Sequence, residues 1–183
     1  MSDRPAKTSI AYRIERAKPG EVDPLPSIEV AAAELFSPED LAPQLREEAS
    51  SVEVFERAAR EGRLWTAVHR NSRQPVGFAL VTIVDESAHL DELDVLPDHG
   101  RQGLGAALVE TVVQWARRRG FPSVTLTTFR HLPWNGPFYR KLGFEELSEA
   151  ALTQELSEHL EAEAAEGLDR SKRVAMRIDL ENP

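Results

Sequence analysis

The sequence predicts an α/β fold: one domain built on a mixed sheet of six or seven strands, with helices on both faces. Three observations carry that reading. Segments of strand pattern alternate with segments of helical pattern along the 183 residues, as period-2 and period-3.6 hydrophobicity require. Midway, a strand, a helix and a strand follow one another at the spacing of a right-handed crossover between parallel neighbours. The chain is 41% hydrophobic, with no internal repeat, linker or composition break, and its length suits a single core, since domains run to roughly 100–200 residues.

Taken in order, residues 1–10 are polar and expected to fray. Residues 11–16 alternate as a first strand, ended by Lys18, Pro19 and Gly20. Pro24, Pro26 and Ser27 lead into a short helix over 28–36, with Ile28, Ala31, Ala32 and Leu35 on one face. Ser37, with Pro38 at the first helical position, signals a second start. Ser50 and Glu53 fit a capping box for a third helix that runs to Arg60 and closes at Gly62. Residues 64–69 and 75–84 read as strands joined by a polar turn. Residues 88–95 and 123–129 are the fourth and fifth strands. The helix between them runs from Gly103 to about Arg119 and places Arg117, Arg118 and Arg119 at its negative end. Residues 150–166 form an amphipathic helix or a long loop, and 172–180 a last strand.

The totals exclude several classes. No apolar run is long enough to span a bilayer, and the first residues contain no apolar signal core, so a cytoplasmic protein is expected. The absence of cysteine removes disulfides, thiolate metal sites and a cysteine-bound acyl intermediate. A net charge of −9 opposes binding to nucleic acid or an anionic membrane, yet allows an anionic ligand in a locally basic crevice. The five histidines, His69, His89, His99, His131 and His159, are scattered without an H-x-x-x-H pair, so no metal is expected. His89 and His131 fall near the ends of the fourth and fifth strands, where they could approach the substrate, though surface or turn positions are the commoner outcome.

The fourth strand ends at Pro97 and Asp98 and leads into Gly100, Gly103 and Gly105, which open an apolar helix at Leu104. A glycine turn at a helix start aims unpaired N–H groups outward, reinforced by the helix dipole, and so binds anions. The dinucleotide fingerprint fails because Leu108 stands where it needs Gly or Ala, and no acidic residue ends a second strand at the required distance. A nucleoside-triphosphate loop is absent as well. A plain helix-start turn is the structural alternative.

Gly100-Arg101-Gln102-Gly103-Leu104-Gly105 resembles the pyrophosphate loop of the GCN5-related N-acetyltransferases, written Q/R-x-x-G-x-G/A. It departs at the first position, where Gly100 stands and Arg101 follows. Phe138-Tyr139-Arg140-Lys141-Leu142-Gly143-Phe144, some thirty-five residues later, is similar to the terminal motif of the same family. The two strings and the sheet pattern cover roughly residues 64–147; the N-terminal third matches in outline only.

That resemblance implies a mostly antiparallel sheet whose fourth and fifth strands splay apart, and acetyl-CoA as co-substrate without a metal. The exposed fourth-strand backbone at Leu93, Asp94 and Val95 would pair with the pantetheine arm. Gly100, Arg101, Gln102, Gly103, Leu104, Gly105 and Ala106 would hold the pyrophosphate, and Asn135, Phe138 and Tyr139 would line the cofactor. The acceptor is expected to be an amine on a small molecule or peptide, and the protein a monomer or homodimer.

Acetyl transfer to an amine needs a proton acceptor for the amine, donors for the oxyanion and a weak acid for the leaving thiolate. Tyr139 is the expected acid, against a core aromatic whose hydroxyl is satisfied at the rim. Glu92 is the expected base; Asp91, Asp94 and an ordered water are the alternatives. Glu92 and Asp94 share one strand face, and Asp91 points the other way. Trp65 and Trp115 read as core. Trp134 would wall the acetyl site or staple its helix, and Arg130, Arg140 and Lys141 would meet phosphates or water. A module that binds acyl-CoA without turnover is the reading from a different class.

Overall fold

The structure is a computed structural model that describes residues 11–180; the segment expected to fray, 1–10, lies outside the described residues. Seven strands, β1 (Tyr12–Arg16), β2 (Leu64–His69), β3 (Pro75–Val84), β4 (Ser87–Val95), β5 (Ser123–Phe129), β6 (Glu145–Glu146) and β7 (Arg173–Asp179), follow the hydrogen-bonded order β1-β2-β3-β4-β5-β7-β6. β4 and β5 run parallel, while β1–β2, β2–β3, β5–β7 and β6–β7 pair antiparallel. The helices are α1 (Leu25–Ala33), α2 (Pro43–Glu47), α3 (Val52–Arg60), α4 (Leu104–Arg118), α5 (Gly136–Lys141) and α6 (Gln154–Glu166). The chain divides into two compact units; the described part of the first is 11–36, 46–81 and 92–112, and of the second 37–45, 82–91 and 113–180.

In the first unit Leu25, Ile28, Phe55, Leu64, Phe78 and Leu80 form a continuous buried core. Each such side chain contributes about 1.5–3 kcal/mol on burial, and the Phe55 and Phe78 rings meet edge to face at 5.1 Å. α1 begins three residues earlier than its apolar stripe suggests, because Pro26 is tolerated in the first helical turn and brings Leu25 into the core. The third helix starts from Ser51 instead of Ser50. The Ser50 N–H and hydroxyl are drawn off to the Glu29 carboxylate, at 3.0 and 3.4 Å. β2 and β3 pair with a register shift: Ala67 faces Gly77 and Val68 faces Pro75, leaving Val76 as the extra residue of a bulge.

In the second unit β5 pairs with β7 along its whole length, from Ser123–Asp179 to Phe129–Arg173. β4 pairs with β5 over three positions, Ala88, His89 and Leu90 against Val124, Thr125 and Leu126, and the ladder ends there. The start expected at Pro38 does not become helix. The Ser37 carbonyl accepts from the amides of Asp40 and Leu41, the Ser37 hydroxyl donates to Asp40 at 3.0 Å, and α2 begins only at Pro43. Side-chain competition of this kind favours turns over helix. Of residues 150–166, Gln154–Glu166 form the helix α6, capped by the Thr153 hydroxyl and ended by Gly167 at φ +112°, after a separate 3-10 turn over Glu149–Ala151.

Two polar features of this unit stand out, one half-buried and one fully buried. Arg173 donates to both carboxylate oxygens of Glu163, at 2.9 and 2.7 Å, and lies over the Phe129 ring. Burial alone would raise Glu163, but Arg173 outweighs it and holds the carboxyl below its usual range. His89 is fully buried on β4, contrary to the surface or turn position expected of it. Burial, helped by the nearby His159, pushes it down to about 3, so its ring is neutral.

Candidate active site

In the first unit the chain leaves β4 at Val95, makes a 3-10 turn over Pro97–His99 and opens α4 at Leu104. The backbone between is left-handed at two places, Arg101 at φ +56° and Gly103 at φ +78°. Glycine takes that conformation freely, whereas for arginine it is strained. The Ala107 amide donates to the Gly103 carbonyl at 3.0 Å as the first helical bond, so Gly103, Leu104, Gly105 and Ala106 carry amides with no partner inside the helix. Arg101, Gln102 and Gly103 are exposed, and Leu104 is buried beneath them. Below the turn, Tyr12 on β1 meets His99, its hydroxyl 2.9 Å from Nδ1, and the two rings pack edge to face.

Glu92, Leu93, Asp94 and Val95 all lie half-buried on the last part of β4. The Asp94 carboxyl goes deeper than the residue as a whole. Its Oδ2 is shut away from solvent and has no hydrogen-bond partner. Burial first, and then the Glu29 carboxylate on α1, raise Asp94 to about 8. Two carboxylates in a poorly solvated place cannot both ionise cheaply, so one keeps a proton near neutral pH. A carboxyl titrating near neutrality suits proton transfer from an amine.

In the second unit Asn135, Phe138 and Tyr139 are held by α5. Pro137 sits in its first turn and Gly143 closes it at φ +93°, as expected from their sequence positions. The Asn135 carbonyl accepts from the amides of Phe138 and Tyr139, at 2.8 and 3.0 Å. Its side chain does not cap the helix: Nδ2 donates to the Thr128 hydroxyl at 2.8 Å, and Oδ1 is buried without a partner. Gly136 allows no other residue easily, because a Cβ there would lie 2.7 Å from the Arg130 carbonyl oxygen. The Tyr139 ring is buried between Phe138 and Phe144, at 5.0 and 5.8 Å.

The remaining residues singled out from sequence sort themselves plainly. Trp65 and Trp115 are buried, and Trp134 is exposed. Arg130 and Arg140 both pair with Glu146, at 2.7 and 3.3 Å. His131 pairs with Asp40, which also accepts from Lys172 at 2.9 Å. Sequence reasoning gave no role to Tyr12 beneath the turn or to Glu29 beside Asp94, since both depend on contacts between distant segments.

The model of the Acetyltransferase (GNAT) family matches residues 29–144. The chain belongs to this family. Among curated proteins it resembles the peptidyl-lysine N-acetyltransferase YjaB of Salmonella typhimurium, 35% identical over 85 residues, which are 46% of this chain and 52% of that protein. The chain thus spans about half the length of that relative. Among solved structures the fold is shared with PaiA N-acetyltransferase from Thermoplasma acidophilum in complex with coenzyme A, at TM-score 0.67 and 15% identity over 93% of this chain and 99% of the other. It is shared as well with N-acetylglutamate synthase from Neisseria gonorrhoeae complexed with coenzyme A and N-acetyl-glutamate, at TM-score 0.66 and 17% identity over 93% of this chain and 35% of that one. These GNAT likenesses agree with the mixed sheet expected from the sequence. No described helix is long and apolar enough to cross a membrane.

Proposed function

We propose that this protein transfers the acetyl group of acetyl-CoA to a primary amine by direct attack within a ternary complex. The observation that carries the proposal is the left-handed turn at Arg101 and Gly103, which opens α4 immediately after β4 and lies inside the region matched by the family model. The amides of Gly103, Leu104, Gly105 and Ala106 bind the pyrophosphate, with Gly100, Arg101 and Gln102 shaping the approach. The β4 backbone at Leu93, Asp94 and Val95 receives the pantetheine arm, while Asn135 and Phe138 line the cofactor on the α5 side. With no cysteine in the chain, the acetyl group has no protein thiol to rest on.

The neutral amine attacks the thioester carbonyl, a C–N bond forms, and the C–S bond breaks as the oxyanion collapses. The amine proton passes to a β4 carboxylate, directly or through water. Glu92 and Asp94 share the strand face for this, and the raised Asp94 carboxyl is the better matched of the two near neutral pH. The Tyr139 hydroxyl protects the departing thiolate by giving it a hydrogen bond or a proton. Peptidyl-lysine and N-acetyl-glutamate, named with the relatives, support an amine as the acceptor. A requirement for acetyl-CoA, a metabolite of the cell interior, supports a cytoplasmic location.

The test is calorimetry with acetyl-CoA followed by thiol release with a panel of amino acids, polyamines and lysine peptides. Saturable binding with turnover of at least one amine is the expected result. Binding without turnover of any amine would favour a silent acyl-CoA-binding module, and no binding would sink the loop assignment.

A further inference from the structure

His89 places a neutral, fully buried imidazole in the paired part of β4. Its Nδ1 lies 2.9 Å from the Thr125 hydroxyl, but its Nε2 is buried with no hydrogen-bond partner. An unpartnered buried nitrogen of this kind forfeits its hydration and needs a reason. Asp91, two residues further along β4, shares its face. On α6, His159 stands beside the buried Leu156 and Leu160 and one turn before Glu163. The His89 and His159 rings meet edge to face at 4.8 Å between centroids. One ligand atom from each of His89, Asp91 and His159 lies within 4.8 Å of the other two.

We propose that His89, Asp91 and His159 form a structural site for a first-row divalent metal ion of the Zn²⁺ class, which ties α6 to β4. Two imidazoles and one carboxylate are a borderline donor set of the kind that binds Zn²⁺ or Co²⁺, with water completing the shell. Metal bonds of about 2.1 Å in a tetrahedral site put ligand atoms ~3.4 Å apart, so the cluster must close inward by roughly an ångström. His89 is held by Thr125 at 2.9 Å; metal binding selects the tautomer in which Nδ1–H donates to the Thr125 hydroxyl and the Nε2 lone pair faces the metal, the usual way an outer hydrogen bond orients a ligating histidine. Asp91 and His159 are half-buried, and closing the cluster draws His159 Nε2 from its 3.6 Å contact with Glu163 to the metal. The nearby cation, Arg173, is already neutralised by both oxygens of Glu163, so it does not repel a second positive charge at full strength. Nothing in the order of residues announces such a site, since strand and helix supply ligands seventy positions apart.

The experiment uses tag-free, EDTA-treated protein titrated with Zn²⁺ by calorimetry and with Co²⁺ by visible absorption, with thermal melting alongside. One equivalent should bind, Co²⁺ should give the ligand-field bands of a low-coordinate nitrogen and oxygen site, and Zn²⁺ should raise the melting temperature by linkage. His159→Ala and Asp91→Asn should each weaken Zn²⁺ by at least ~10-fold, and Thr125→Val, which frees the His89 ring, by about 10-fold. His89→Ala empties a buried position and can unfold the protein, so the decision rests on the half-buried His159 and Asp91, with circular dichroism confirming that both variants fold. Absence of saturable binding to the wild type, or wild-type Zn²⁺ affinity in folded His159→Ala and Asp91→Asn, would overturn the site and leave two rings packed together.

Discussion

A Cβ atom on Gly77 would stand 2.6 Å from the main-chain oxygen of Asp94 and 3.0 Å from Cγ2 of Val95. β3 therefore lies against β4 just where the candidate base and the candidate pantetheine backbone sit. The obstacle to a side chain at Gly77 is main chain, which cannot rotate away as a flexible side chain would.

Gly77→Ala should accordingly displace the end of β4. Overpacking of this kind costs ~1–3 kcal/mol, and the expected outcome is a lower melting temperature together with weaker acetyl-CoA binding. Melting the variant with and without acetyl-CoA measures both. A variant as stable and as tight-binding as the wild type would mean that β4 is free to move there without consequence for the site.

This closeness explains what the sequence conveys and what it does not. Alternation and β-branched content delimit Leu64–His69, Pro75–Val84 and Ser123–Phe129 without error, because strand pattern is local. The turn at Gly100–Gly105 and the α5 motif are also local, and so is their chemistry. Side chains that choose between neighbours are harder. Ser50 resembles a helix cap until Glu29 captures it, and Ser37 prefers a turn with Asp40 to starting a helix. β6 is two residues long and carries no pattern of its own. Asp94 looks like any carboxylate on a half-exposed strand, and it is burial first, then the Glu29 carboxylate on α1, that makes its proton affinity unusual.

That affinity has a sign that can be tested. Asp94 titrates near 3.9 in an unfolded chain and at about 8 in the folded one. Between those values the folded state keeps a proton that the unfolded state has released. The stability contributed by this group is therefore complete below about pH 4 and is lost as pH rises through about 8. Asp94→Asn keeps the shape of the protonated carboxyl and removes the dependence. Its melting temperature should exceed that of the wild type by more at pH 8.5 than at pH 5.5. Parallel melting profiles across that range would show that the carboxyl is not held protonated. In turnover, the wild-type rate should climb through about pH 8, and the asparagine variant should lose most activity, since general-base removal typically costs ~100-fold or more.

For the turn, backbone and side chain can be separated. Arg101 holds a left-handed conformation that costs an L residue roughly 1–2 kcal/mol. Arg101→Gly should relieve that strain and melt no lower than the wild type, with only a small loss of acetyl-CoA affinity, because the amides make the principal contact. Gly105→Val adds a branched side chain at the helix start and should weaken binding by at least ~1.4 kcal/mol, a tenfold change. Calorimetry on both variants decides the matter. If Arg101→Gly lost more affinity than Gly105→Val, the guanidinium and not the backbone would be the anion contact.

Tyr139 tests whether the protein turns over at all by the route proposed. Its ring is buried between Phe138 and Phe144, so Tyr139→Phe preserves the packing and changes only the hydroxyl. If that hydroxyl assists the departing thiolate, its interaction strengthens in the transition state and contributes little to the bound ground state. The variant should then show kcat reduced by ~100-fold, within the usual range for a general acid, and an acetyl-CoA Kd close to that of the wild type. Thiolates leave readily, so the loss should shrink with acyl donors whose thiols are more acidic than coenzyme A. Steady-state rates at saturating acetyl-CoA, repeated with such a donor, read both effects. Equal kcat in the two proteins would reduce Tyr139 to a wall of the α5 packing and assign the thiolate's proton to water.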